Sequence, residues 1–222
     1  MTLYIKKTVL VIILTAFLMF TLIQIPQVHS AGSTIQDKLD EYLSSVAGFD
    51  LTKYSLAHET SGSSYPPKFN GTVKEETLRY TLESGESQIN IMSIFDNGQM
   101  VFYSASAIKG NYIYVTSPAN NVLDQAKDVI ERYQHFTTKI YGVEISHLVS
   151  MQNMLNSVSN LSAIDITDGN INLKISLNED VTNMQLSYTE KGVSMMYKGI
   201  QMSFLKNNLV NFIDTWNLYT IS

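Results

Sequence analysis

Ile91-Met92-Ser93-Ile94-Phe95-Asp96-Asn97-Gly98-Gln99-Met100-Val101-Phe102 is the segment to read first. Asn97-Gly98 supplies the positive φ values that a two-residue type I′ turn needs, so the flanking residues form a β-hairpin. On its outward leg Ile89, Ile91 and Phe95 share a face, and Met100 and Phe102 begin the return. Just upstream, Leu78, Tyr80 and Leu82 alternate with Thr77, Arg79 and Thr81, with Gly85 in the intervening turn. Alternation, as opposed to unbroken apolarity, marks antiparallel pairing with one face in water.

A second hairpin near the end of the chain has the same grammar. Met92 to Asn97 corresponds to Met202 to Asn207, and Phe102 to Phe212, all at an offset of 110, with a turn expected at Asn207-Asn208. Before it, Ile171, Leu173, Ile175 and Leu177 alternate with Asn172, Lys174 and Ser176, and Met184, Leu186 and Tyr188 follow. Each group of strands is preceded by helical sequence. Ser33-Thr34-Ile35-Gln36 has capping-box form, with Ile35, Leu39, Tyr42, Leu43 and Val46 on one face of a helix over 34–46. Ser117-Pro118 is read as the cap and first position of a second helix, with Val122, Ala126, Val129, Ile130, Tyr133 and Phe136 along one side and Gly142 at its end. A further helical piece is expected over 144–158, a short strand over Leu51 to His58, and a loop from Ser61 to Gly71. The fold class is therefore α+β. It is read as a duplicated helix-on-antiparallel-sheet unit over 33–116 and 117–222, because a sheet with one apolar face needs a cover. One continuous sheet with its helices on one side is the rival arrangement.

The first thirty residues read as an export segment. Lys6 and Lys7 precede an apolar run over 9–25, and Val28 and Ser30 stand three and one positions before a cut. The run either ends in cleavage or stays as a signal-anchor, since a span needs about 20 residues. The chain has 20 acidic and 15 basic residues, two of the latter in that segment, and no cysteine. An acidic exported chain without a basic patch argues against nucleic acid and against electrostatic binding to anionic lipid, leaving membrane contact to the N-terminal segment. Without disulfides the core must hold unaided. Asn70-Gly71-Thr72 and Asn160-Leu161-Ser162 are N-glycosylation sequons, so Asn70 and Asn160 are expected on the surface.

Leu186 to Val193, Tyr197-Lys198-Gly199-Ile200-Gln201-Met202-Ser203-Phe204 and Asn207 to Trp216 together resemble a PepSY-type repeat. The shared pattern is an aromatic strand, a Gly turn, a strand carrying Gly-Ile-x-φ-x-φ, another turn and a last strand ending near Trp. Lys206-Asn207-Asn208-Leu209 stands where the family usually has Asp-x-x-Gly. The resemblance implies a PepSY- or cystatin-like helix packed on an antiparallel sheet, no cofactor, and a role in binding or restraining peptidases.

No convergent chemistry accompanies this framework. His58, His135 and His147 stand alone, without the spacing of a zinc site, so they are read as surface or cap residues. Asp124, Asp128 and Glu131 fall opposite the apolar stripe of their helix as a solvated face; Glu75-Glu76 and Glu179-Asp180 point in different directions. No serine sits in a nucleophile motif, and no glycine-rich phosphate loop exists. Met151, Met154 and the Met195-Met196 pair, placed in a late loop, are read as core filling or an adaptable groove; Tyr80, Tyr103 and Tyr188 as sheet packing; Trp216 as closing the second sheet. Catalytic, metal and cofactor residues are thus none. The expected function is an exported, non-enzymatic binding module for a protein partner such as a peptidase. The alternative is an extracytoplasmic carrier of a small molecule or lipid in an apolar pocket under the sheet.

Overall fold

The computed structural model describes residues 33–67, 71–142 and 145–216. The export segment and Asn70 lie outside these residues. From Thr34 onward the chain forms one compact unit. Its described residues form a single antiparallel sheet of nine strands in the order β1-β2-β3-β4-β9-β8-β7-β6-β5. In chain order the elements are α1 (Ile35–Ser45), a 3-10 turn (Leu51–Lys53), β1 (Ser55–Ser64), β2 (Glu75–Glu83), β3 (Gln88–Asp96) and β4 (Gln99–Lys109). Then come α2 (Val122–Tyr141), α3 (Ser146–Ser157), β5 (Ile164–Asp168), β6 (Ile171–Asn178), β7 (Val181–Glu190), β8 (Val193–Leu205) and β9 (Asn208–Asp214). An α+β fold on an antiparallel sheet is what the alternation called for. The strands of 33–116 and 117–222 meet in that sheet through their last members. Phe102, Tyr103 and Ser104 of β4 pair with Ile213, Phe212 and Asn211 of β9.

Helices cover the seam. Tyr42 of α1 packs against Tyr103 and Phe212 from the two strands and against Tyr133 and Phe136 of α2, with ring centroids 5.1–6.4 Å apart. Such aromatic pairs each add about 0.5–1.5 kcal/mol beyond area burial. At its far end α2 reaches the first group of strands, where Tyr141 Oη accepts a 3.0 Å hydrogen bond from the Met100 amide. All of these side chains belong to one continuous core that runs from Leu39 to Phe212.

Several boundaries differ from the sequence reading, each for a local reason. Thr34, not Ser33, caps α1, because Asp37 closes a reciprocal box by accepting from the Thr34 amide at 2.8 Å. α2 begins at Val122 with Asn121 as its cap, not at Ser117-Pro118. Asn207 Nδ2 donates to the Ala119 and Asn120 carbonyls and holds that approach outside the helix. β1 runs through Ser64, taking residues expected in a loop; all ten of its side chains are exposed, so no apolar pattern marked it. β5 was not anticipated. Met195, read in a loop, pairs with Tyr188 in β8, and Met196 falls in a stretch of that strand unpaired with β7.

The two hairpins are equivalent at an offset of 109, not 110. β3–β4 skips Val101 between Phe95↔Met100 and Ile94↔Phe102, and β8–β9 skips Val210 between Phe204↔Leu209 and Ser203↔Asn211. From Gln99 to Ala105 and from Asn208 to Asp214 the order of buried and half-buried positions is identical. An offset of 110 would set half-buried Met92 on buried Met202, and a one-residue slip exchanges the faces of a strand. The second turn accordingly falls at Lys206-Asn207, with Lys206 at φ 56°.

Candidate functional site

The helices occupy one side of the sheet, and the other side carries an ordered set of rows. One row runs Thr60, Arg79, Met92, Ser104, Asn211, Ser203, Asn183 across seven strands. The next runs Thr77, Ile94, Phe102, Ile213, Gln201, Gln185, Lys174. From β2 to β7 these residues alternate along their strands with residues of the core, so the rows form the face the helices leave bare, and Thr60 extends the first row onto the exposed β1. In its middle, Ile94, Phe102 and Ile213 are side by side and only half-buried. Hydroxyls and amides lie along the rows beside them, in places tied together, as by the 2.7 Å bond from Ser203 Oγ to Asn183 Oδ1, and the acids Glu75 and Asp96 pair in the adjoining row. Arg79 is the one charge among the residues of the first row, and Lys174 the one charge of the second.

Over β1–β4 this face is concave, with an open hollow of about 500 Å³. His58, Thr60, Arg79, Thr81, Met92 and Ser104 are among its walls, and no carboxylate is.

A second feature lies where β9 ends. Between Ser187↔Gly199 and Tyr188↔Met195, β8 loops out residues 196–198. The chain rejoins the ladder at Gly199, where a Cβ would stand 2.1 Å from the Leu186 carbonyl oxygen, so only glycine allows the approach. Lys198 folds back over the rings of Tyr188 and Trp216 at 5.8 and 5.7 Å. The Trp216 ring stacks on His147, centroids 4.0 Å apart and planes 12° apart. Burial, with Lys198 as a lesser cause, pushes the His147 imidazole down to about 3, so it is neutral at ordinary pH. Beneath, Asp214 accepts from the Trp216 amide at 2.9 Å and from Tyr133 Oη at 2.7 Å. Burial raises the Asp214 carboxyl above the usual carboxylate range against the opposing pull of these two bonds. A hollow of about 400 Å³ opens beside the stack, between α3 and the β5–β6 turn.

These features place the residues singled out from sequence. Asn160 is exposed. Asp124, Asp128 and Glu131 lie exposed on α2, and Glu76 is paired with Lys74 at 2.6 Å. His58 and His135 are exposed, and His147, in the first turn of α3, is half-buried and stacked on Trp216. Met151 and Met154 are buried in the core, Met154 also edging the hollow by Trp216. Among the described residues no three His, Cys, Asp or Glu side chains are grouped to hold a metal ion. No described helix is long and apolar enough to cross a membrane. The bare face and the looped-out residues of β8 escaped the sequence reading. Alternation shows which side of a strand is apolar, but not whether anything covers the opposite side.

No family profile, no curated protein and no solved structure matches the chain.

Proposed function

We propose that this chain is an exported, non-enzymatic binding module that meets a protein partner on the bare face of its sheet. The observation that carries the reading is the Ile94–Phe102–Ile213 patch, half-buried on a face that no described helix covers, with uncharged polar residues beside it and the acids Glu75 and Asp96 at one margin. Interface cores are depleted in charge and enriched in aromatic anchors, with a polar rim. This face has that composition in a chain whose net charge is −5.

Export rests on Lys6, Lys7 and the apolar run over 9–25, with the segment cut or kept as an anchor. The matched bulges and burial of β3–β4 and β8–β9 support descent of the two halves from one helix-on-sheet unit. The PepSY-like residues Tyr188, Lys198, Gly199 and Trp216 lie together at one corner, which supports a peptidase as the kind of partner.

The test is capture from the cell surface with the wild-type chain and with Phe102→Glu, together with mass spectrometry of the native N-terminus and of Asn70 and Asn160. A specific protein held by the wild type and lost by the variant is expected. No specific protein, or equal capture by both, overturns the reading.

A second reading, a carrier of a small ligand, draws on the 400 Å³ hollow lined in part by Met154, Ile171, Tyr188 and Trp216. That hollow lies at the end of the sheet and not beneath it. Displacement of a bound apolar dye that quenches Trp216 tests it.

A further inference from the structure

We infer that the free edge of β1 and the hollow behind it form one site, which takes up an extended acidic segment of a partner protein as an added strand. The inference rests on the proposed reading of the bare face as a binding surface, and it names the chemistry that surface accepts.

The edge is the first observation. Among the described residues β1 pairs with β2 alone, and all ten of its residues are exposed. Edge strands are commonly blunted by proline or lysine or by being very short. Ser55–Ser64 contains neither residue, and from His58 to Ser64 its register with β2 is unbroken after one irregularity at Leu56/His58. The opposite edge, β5, has five residues, two of them aspartates. β1 is therefore the edge that offers a long ladder of free backbone donors and acceptors.

The charge beside that edge is the second observation. A strand laid on β1 stands about 4.8 Å from it and about twice that from β2, and it turns every second side chain toward the bare face. There it meets the hollow, whose cation is Arg79 on β2, flanked by Thr60 of β1 and Met92 of β3. Arg79 is exposed and has no ion pair with a described residue, whereas Lys74, Lys127, Lys139 and Lys174 each have a carboxylate within 4.0 Å. A guanidinium presents a planar fork that fits a carboxylate with two parallel hydrogen bonds. His58, Thr60, Thr81 and Ser104 add further donors, and no acid lines the hollow. On the other side of β1 the groups are different. Gln36 Nε2 donates to Glu59 Oε1 at 3.3 Å, so positions turned toward α1 meet a carboxylate and reject acids. The preferred segment thus alternates acidic residues with uncharged ones. Because the whole chain is acidic, an acidic segment is repelled elsewhere, and this local cation sets the register.

The test uses the full chain and a fluorescein-labelled peptide in which Glu alternates with Val, a Lys-for-Glu version serving as control. Anisotropy should show binding of the Glu peptide alone, weakened about tenfold by Arg79→Ala and less by Arg79→Lys, as for a lost charge-assisted pair. Amide exchange over 55–64 should slow in the complex. The inference is overturned if the Glu peptide does not bind, if both peptides bind alike, if Arg79→Ala changes nothing, or if the β1 amides stay unprotected. Equal competition by acetate or inorganic phosphate at the same concentration also overturns it, since it would mean a free-anion site. Loss of capture on Phe102→Glu is a separate readout, so the broader reading and this one fail independently.

Discussion

Tyr133 of α2 donates a 2.7 Å hydrogen bond to Asp214, the last residue of β9, and both groups are buried. That bond ties the helix over the seam to the strand that forms it. Burial holds the Tyr133 hydroxyl well above its usual pKa, with the Asp214 charge as a further cause, so it remains a donor.

Tyr133→Phe leaves a buried carboxyl with one donor fewer, and is expected to cost about 1–3 kcal/mol. Paired with Asp214→Asn, the loss should be less than additive. Urea unfolding of the two single variants and the double variant measures both quantities.

Asp214 and His147 impose opposite pH slopes. The folded state raises the Asp214 carboxyl, so its contribution is full below the unfolded value of about 4 and declines as pH rises through the folded value. The folded state depresses His147 to about 3, so its contribution is full above the unfolded value of about 6.5 and is lost as pH falls toward 3. Melting temperatures between pH 4 and 7 should therefore rise more steeply with pH in Asp214→Asn than in the wild type, because the variant keeps the histidine slope and loses the opposing one. They should fall with pH in His147→Phe, which keeps the stack but not the titration.

Gly199→Ala should destabilise the fold by about 2–4 kcal/mol, because its Cβ meets the β7 backbone at 2.1 Å. Gly85→Ala, with nothing within 4 Å of the added carbon, should change stability by under about 0.5 kcal/mol. Denaturation midpoints of the two variants compare a close approach with an open turn.

Ser93 Oγ and Tyr103 Oη are buried without a hydrogen-bond partner among the described residues. Removing such a hydroxyl relieves desolvation, so Ser93→Ala and Tyr103→Phe should be neutral or stabilising by up to about 1 kcal/mol. Thermal unfolding is a sufficient readout.

What was legible in the sequence follows from burial. α2 shows its stripe from Val122 to Phe136 because that side of the helix lies in the core, and β6 shows Ile171, Leu173 and Ile175 for the same reason. β1 is legible only as far as His58, within the strand read over Leu51 to His58, because none of its residues is buried, and β5 is not legible, because only Ile164 is even half-buried. The one-residue error in matching the hairpins has its own cause. Identities at Met, Ser, Asn and Phe favour an offset of 110, while the equivalent bulges at Val101 and Val210 are features of pairing, invisible in either strand alone. The stack of His147 on Trp216 joins residues 69 positions apart, one at the start of α3 and one just past β9, and no sequence period links them.

Among the described residues the helices cover one side of the sheet only, and the absence of native cysteine makes this measurable. Single cysteines at Ser106 on the bare face and at Ser93 on the helix face can be timed against a maleimide in native buffer. Ser106→Cys should react at nearly the rate of a free thiol, and Ser93→Cys only as fast as the protein unfolds. Equal protection at both positions would mean that the second face is also covered, and would contradict the one-sided cover.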